Sequence, residues 1–274
     1  MSSPIHSLFD YQALENKDTK DCHLSIQIGM HGLSFCIRHK DVILAIESYQ
    51  HPLSQLEDTI KNHKWLLKDY ASINIGLVTK KSTLIPTSTY DSSLKETYLS
   101  FNHNRTEKLE VIEDKIESID SVNLYGISVA ERNIINTFFS KATIKHYGSS
   151  LIKTWMHQNK NSSEQKLLVS IQDSHMEVAA IGSSKLQFFN IFQHSNAQDV
   201  AYNILFVVEQ LNLNPENILL VLYGETEKDS EIYNLMYTYI RNIEYGKNKE
   251  KISPVISDVP EHFYFNLIHQ QICE

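Results

Sequence analysis

The sequence predicts an α/β protein that contains one β-rich unit twice. Segments 24–49 and 167–192 follow the same order of strand, hairpin, strand, turn and strand. Their first residues, Leu24 and Leu167, lie 143 residues apart in the chain. After each segment the apolar spacing changes from two to between three and four, which predicts a helix, a strand and a further helix. Each half is therefore expected to have βββαβα order.

Three antiparallel strands are expected to open the first unit. Apolar residues alternate with polar ones over 24–28 and 33–38, and a third apolar segment covers 42–49. His51-Pro52 ends the third strand and can begin a helix, because proline is tolerated in a first turn. The apolar face of that helix is predicted to comprise Leu53, Leu56, Ile60 and Leu67.

The rest of the first unit is less regular. The apolar run 73–78 predicts a buried strand, which after a helix implies a parallel crossover. Over 79–121 the periodicity weakens: a short helix is expected over 91–99, and over 101–120 short edge strands or a loop insertion fit equally well. Segment 122–127 again predicts a strand, and Ser128 with Glu131 forms a capping box that opens a helix.

The second unit has clearer periodicity. Its strands are predicted over 168–171, 176–181, 186–192 and 218–222. Ser195 and Gln198 form a second capping box, which opens a helix. Ile75 aligns with Ile218 at the same 143-residue offset, so the sequence predicts that the two units stay in register. Helices are expected over about 229–240 and 262–272.

These patterns predict three divisions of the chain. Residues 1–20 are polar and are expected to be a poorly ordered lead-in, followed by a first subdomain over 21–160 and a second over 161–274. The polar stretch 158–165, QNKNSSEQ, is the boundary candidate.

Composition excludes several classes of function. A net charge of −8 argues against nucleic-acid binding, which requires basic side chains. Neither a secretion signal nor an apolar run of membrane-spanning length is found, so a cytoplasmic protein without membrane insertion is expected. Cys22, Cys36 and Cys273 are too widely spaced to indicate a zinc site or a disulfide framework. The 13 histidines show no metal-binding spacing, and no serine-nucleophile motif occurs.

Three phrases carry a resemblance to a known family: LSIQIGMHGLSFCI, LAIESY and VLYG. With them the chain resembles bacterial proteins of unknown function that have an actin-like ATPase fold. The resemblance runs from about Leu24 to the end of the chain. It implies two ribonuclease-H-like βββαβα subdomains in an actin-like ATPase arrangement.

The resemblance also implies where a nucleotide would bind. In nucleotide-using relatives, the first hairpin of each half wraps the phosphates. Here Ile28 stands where the first hairpin would carry an aspartate, whereas Asp173 and Ser174 match the pattern of the second hairpin. Gly224 retains one glycine of the adenosine loop, and Glu225 follows it. Asp173, Ser174 and Gly224 are therefore the cofactor-binding candidates, and no catalytic or metal residue is assigned.

The expected function follows from this incomplete set of motifs. A non-catalytic actin-like protein that binds a protein partner or acts as a scaffold, with a degenerate nucleotide cleft, fits best. No cofactor is expected on that interpretation. The alternative is an atypical nucleotide-binding protein that uses ATP with Mg²⁺. A metal-dependent nuclease is a distant third, because Ser25 and Gln27 stand where the first strand would need acids. Self-association stays open.

Overall fold

The computed structural model describes residues 4–29, 32–103 and 109–270, which form two compact units. As far as they are described, unit 1 comprises Met1–Thr154, Glu250–Asp258 and Asn266–Glu274, and unit 2 comprises Trp155–Lys249 and Val259–Phe265. The chain thus returns twice to unit 1 after residue 160. No described helix is long and apolar enough to cross a membrane.

The strands of the described chain are β1 (His6–Phe9), β2 (Cys22–Gly29), β3 (Gly32–His39), β4 (Val42–Gln50), β5 (Ser72–Val78), β6 (Ser82–Pro86), β7 (Leu109–Ile116), β8 (Ser121–Ser128), β9 (Thr143–His146), β10 (Lys166–Ile171), β11 (His175–Gly182), β12 (Lys185–Gln193), β13 (Leu219–Gly224), β14 (Asn242–Tyr245) and β15 (Lys251–Ile252). The α-helices are α1 (Tyr11–Glu15), α2 (Leu56–Asn62), α3 (Lys95–Asn102), α4 (Val129–Phe138), α5 (Tyr147–Asn159), α6 (Ala197–Gln210), α7 (Glu231–Tyr239) and α8 (Phe265–His269).

The two main sheets share one strand order. In unit 1 the order is β1-β4-β3-β2-β5-β9, and in unit 2 it is β12-β11-β10-β13-β14. In both, a three-stranded antiparallel meander is followed by strands that join the first meander strand in parallel. The predicted duplication of a βββαβα-type unit is therefore confirmed.

The register between the halves shifts after the third strand. Leu24 pairs with Ile73, whereas Leu167 pairs with Leu220, so the counterpart of Ile75 is Leu222. The predicted equivalence of Ile75 with Ile218 was wrong by four residues. Helix α6 is twice as long as α2, and the second connection is correspondingly longer.

Helix α2 ends earlier than predicted. It stops at Asn62, and Leu67 is 53% exposed instead of completing the apolar face. The side chain of His63 turns to Glu47 on β4, with 2.5 Å between Nε2 and Oε2. Trp65 then takes the buried position beyond the helix. A contact distant in sequence thus ends the helix.

The two capping boxes had different outcomes. Ser128 and Glu131 form the predicted reciprocal bonds at the start of α4. Helix α6 is capped by Asn196, which accepts from the Asp199 N–H, while Asp199 accepts from the Ser195 N–H. The second box therefore lies one residue later than predicted, because asparagine is an equally good N-cap residue.

The weakly periodic segment of unit 1 forms a small sheet of its own. Strands β6, β8 and β7 pair in that order, and α3 packs against them. Its core is small: Ile85, Leu99, Val111, Val122 and Leu124. Of the two alternatives, short strands are correct.

The first residues of the chain are part of unit 1 rather than a loose lead-in. Strand β1 pairs with β4, from His6 opposite Ser48 to Phe9 opposite Ala45. The carboxylate of Asp10 then caps α1 and accepts a hydrogen bond from Ser253 Oγ at 2.6 Å. The strand was not predicted because residues 1–20 are mostly polar and only part of β1 packs against the core.

Two later segments of the chain, 250–258 and the described part of 266–274, also belong to unit 1. Strand β15 pairs with β4 beside β1. Arg38 on β3 holds Glu250 at 2.5 Å and donates to the Ile268 carbonyl at 2.9 Å. At α8, the carboxamide of Gln270 donates to the carbonyls of Ile26 and Asn74, over Gly76. A Cβ at Gly76 would lie 2.4 Å from Gln270 Oε1, so any larger residue there would displace the Gln270 carboxamide.

Two of the three cysteines can be placed. Cys22 and Cys36 are buried in the sheet of unit 1 as free thiols, and burial raises the pKa of Cys36 to about 12. Cys273 lies outside the described residues. A buried thiol with so high a pKa is chemically inert, so Cys36 acts as a small core residue.

Candidate functional site

The three predicted site residues of unit 2 lie at one edge of its sheet. Strands β10 and β13 are parallel neighbours, and Ile171 pairs with Gly224 at their carboxyl ends. Asp173 and Ser174 lie in the three-residue connection from β10 to β11, closed by a 2.9 Å bond from the Gln172 N–H to the His175 carbonyl. Parallel strands end at the same edge, so residues about 50 positions apart in sequence come together there.

Gly224 is required by the backbone at this edge. Its φ of +88° lies in the region that L-residues avoid, and a Cβ would lie 1.9 Å from the Ile171 carbonyl oxygen. Its N–H donates to the carbonyl of His262 at 2.9 Å. The glycine therefore serves the turn itself, and its amide already has a partner within the protein.

The turn after β13 is closed by residues that return from the end of unit 2. The N–H of Thr226 donates to the Gly224 carbonyl at 2.8 Å, and Nε2 of His262 donates to the Thr226 carbonyl at 2.6 Å. The His262 ring stacks on Tyr245 with 4.2 Å between centroids. Burial lowers the pKa of His262, and the bond to Thr226 offsets part of that effect. His262 is thus a neutral hydrogen-bond donor at neutral pH.

Carboxylates dominate the charge of this edge. Glu177 on β11 is fully buried, and its Oε1 lies 3.3 Å from His175 Nε2. Glu225 and Glu227 are exposed in the turn after Gly224. Together with Asp173 they make four acids, and segments 171–177 and 223–227 contain no lysine or arginine. The described residues hold no group of three or more His, Cys, Asp or Glu side chains arranged to bind a metal ion.

Sequence reasoning missed Glu177 and His262. Glu177 could have been found, because an acid inside the apolar strand HMEVAAIG is unusual and demands a partner. His262 could not, because it joins the turn only through the returning chain.

The corresponding hairpin of unit 1 carries no acid in its described part. Ile28 is fully buried and packs in the core cluster of that unit. Met30 and His31, which the sequence places in the loop, lie outside the described residues. Ile28 is therefore a core residue and not a metal or phosphate contact.

Unit 2 also exposes aromatic side chains on two helices. Tyr202 and Phe206 on α6 are 69% and 43% exposed and stack on each other with 6.4 Å between centroids. Tyr237 on α7 is 64% exposed. Exposed aromatic residues of this kind are enriched in protein–protein interfaces.

Comparisons with known proteins agree with this architecture. The family model DUF3822, described as a protein of unknown function, matches residues 11–243. No curated protein matches the chain.

Among the solved structures similar to the chain are two with TM-scores of 0.61 or higher. One is a Bacteroides thetaiotaomicron VPI-5482 protein with actin-like ATPase fold and unknown function. Its TM-score is 0.76 at 20% identity, and the match covers 87% of this chain and 94% of that one. The other is a chain of the PilM–PilN type IV pilus biogenesis complex, with a TM-score of 0.61 at 11% identity and coverage of 94% and 100%. At these identities the similarity shows the fold, and the predicted actin-like ATPase fold is confirmed.

Proposed function

This chain belongs to the DUF3822 family, and we propose that it is a non-catalytic actin-like protein that binds a protein partner. The observation that carries the proposal is the charge of the edge formed by β10 and β13. Asp173, Glu177, Glu225 and Glu227 lie there, and Lys228 is the one lysine or arginine of the hairpin loop and the turn. A polyphosphate at this edge would face net repulsion.

The backbone of the turn supports the same proposal. Phosphate-binding loops offer backbone N–H groups to the ligand. Here the N–H groups of Gly224 and Thr226 donate to protein carbonyls instead. Releasing them for a ligand would break the bonds that place His262.

A protein partner is supported by two features. PilM, whose chain has a similar fold, was solved in complex with PilN, so an actin-like chain of this kind can serve as a docking protein. The exposed stacked pair Tyr202–Phe206 offers apolar area on unit 2. We propose that the partner presents apolar side chains to α6.

The alternative is an atypical nucleotide-binding protein that holds ATP with Mg²⁺. It is favoured by one observation: Asp173, Ser174 and Gly224 lie at one edge, as the resemblance implies. If a metal were bound, the carboxylate of Asp173 would be the residue to hold it. The two proposals differ in whether a nucleotide binds at this edge and stabilises the protein.

Thermal unfolding with and without ATP and Mg²⁺ separates the two. A ligand at 100 times its Kd stabilises by about 2.7 kcal/mol, which moves the Tm by several degrees. We expect no change in Tm beyond that caused by Mg²⁺ alone. A rise that Asp173→Ala removes and Glu209→Ala on α6 leaves intact would establish the alternative instead.

Site-specific photo-crosslinking in cells tests the partner. With a photo-reactive phenylalanine analogue in place of Tyr202, we expect one discrete adduct, which weakens when Phe206→Ser is added. The same analogue in place of Glu57, an exposed residue of α2 in unit 1, should give no such adduct. Equal adducts from both positions would contradict specific docking on α6.

A further inference from the structure

Strand β12 forms an end of the unit 2 sheet and carries a near-palindromic sequence. It pairs with β11 on one side, and no described strand pairs with its other side. Residues 187–193 read QFFNIFQ, with Asn190 at the centre. On either side of it, Phe189 matches Ile191, Phe188 matches Phe192, and the terminal glutamines match each other.

From this edge we infer that the protein forms a two-fold symmetric dimer by antiparallel pairing of β12 with β12 of a second copy. In a two-fold symmetric interface, if residue i of one copy contacts residue j of the other, then residue j of the first copy contacts residue i of the second. With the two-fold axis at Asn190, Phe188 lies opposite Phe192 of the other copy and Phe189 opposite its Ile191. The palindrome therefore places apolar residues opposite apolar residues on both faces.

The absence of charged residues from most of β12 favours a second copy of the same strand as its partner. From Leu186 to Gln193 the strand has no charged residue, so pairing with itself brings no like charges together. Other edge strands of the described sheets are short or charged: β7 reads LEVIEDKI, and β9 and β14 have four residues each, with Lys145 and Glu244. Soluble proteins usually protect edges by such charges, and β12 lacks them.

The surroundings of β12 allow a sixth strand to join the five-stranded sheet of unit 2, followed by the other strands of the second copy. Phe188 and Phe192 are half-buried against the unit 2 core, so a second copy would extend that apolar layer. The N–H of Ile191 donates to Asn190 Oδ1 at 2.9 Å, an acceptor that a neighbouring strand can replace. A bulge at Gln187 ends the regular ladder, which confines the symmetric pairing to about Phe188–Phe192.

The dimer is independent of the proposed function and is tested by mass in solution. Light scattering after size exclusion should give about twice the 31.6 kDa of the chain. Asn190 is exposed, so Asn190→Lys should preserve the fold yet place two lysines together at the axis. We expect it to raise the dimer Kd about tenfold or more. Gln187→Lys, at the bulge outside the paired segment, should leave the dimer intact.

A charge-swap mixture makes the test specific for this axis. Asn190→Asp should also weaken the dimer, and an equimolar mixture with Asn190→Lys should restore it as a heterodimer. A monomeric wild-type protein, as expected if β12 only receives a strand from another protein, would overturn the inference. So would a dimer that Asn190→Lys leaves unchanged.

Discussion

Arg38→Met is expected to lower the free energy of unfolding by about 3–5 kcal/mol, the usual cost of removing one partner from a buried ion pair. The guanidinium of Arg38 holds Glu250 at 2.5 Å, with side-chain exposures of 9% and 20%, and donates to the Ile268 carbonyl. Methionine fills similar volume but leaves the Glu250 carboxylate and the Ile268 carbonyl without their donor. The two segments that contain Glu250 and Ile268 therefore both lose their contact with Arg38.

Urea unfolding followed by tryptophan fluorescence measures this change. Lys251→Met removes an exposed ion pair with Asp41 and should leave the unfolding midpoint nearly unchanged. Adding Glu250→Gln to Arg38→Met should recover part of the loss, because the charge that Arg38 had compensated is then removed. If the two single changes, Arg38→Met and Lys251→Met, cost the same, burial of the Arg38 pair is not what stabilises the return.

The meander strands were predictable because each has a local signal. In β2 and β3 apolar and polar residues alternate, whereas β10 and β11 are buried along nearly their whole length and are marked by continuous apolar runs. The same held for the capping box at Ser128, whose two residues are three positions apart. Local rules also explain why the hairpins of both halves keep the 143-residue offset.

Elements that depend on distant partners were not predictable. Strand β1 has four residues, and β15 has two, so neither carries a periodic signal of its own. Each exists because β4 offers an edge. The early end of α2 has the same origin, since Glu47 attracts His63 from another element.

The candidate site was partly predictable for a related reason. Asp173 and Gly224 were found because the resemblance to actin-like proteins points to the second hairpin and to the end of β13, and parallel pairing of β10 with β13 brings these ends together. The electrostatics of the edge also depend on Glu177, an acid within an apolar strand that the sequence analysis did not select. The role of His262 depends on the returning chain, which no local pattern encodes.

The second large effect is expected at a buried carboxylate of unit 1, Asp114 on β7. It accepts hydrogen bonds from the His146 N–H at 2.7 Å and from the Tyr125 hydroxyl at 3.2 Å, and from the Ser149 side chain. Asp114→Ala leaves these donors buried without their acceptor. We expect a loss of about 2–4 kcal/mol in the free energy of unfolding at pH 7.

The Tyr125 hydroxyl has a second acceptor, the Ile144 carbonyl at 3.4 Å, whereas the polar groups beside the other two donors are already engaged. His146 Nδ1 already accepts from the Gly148 N–H, and Nε2 donates to the Thr79 carbonyl, so the ring is held as the neutral tautomer. Ser149 Oγ already accepts from Asn123 Nδ2. Glu117→Gln, at an exposed residue just after β7, is the matched control and should change little.

The pH dependence of stability identifies the carboxylate itself. Burial raises the pKa of Asp114, and its hydrogen bonds offset only part of that rise. The folded state therefore holds the Asp114 proton more tightly than the unfolded state, whose pKa is about 3.9. Its contribution to stability is greatest below that value and falls as pH rises through the folded pKa. Asp114→Asn should remove this decline from urea titrations above about pH 4, whereas Glu117→Gln should retain it. An unchanged slope in Asp114→Asn would show that another group carries the titration.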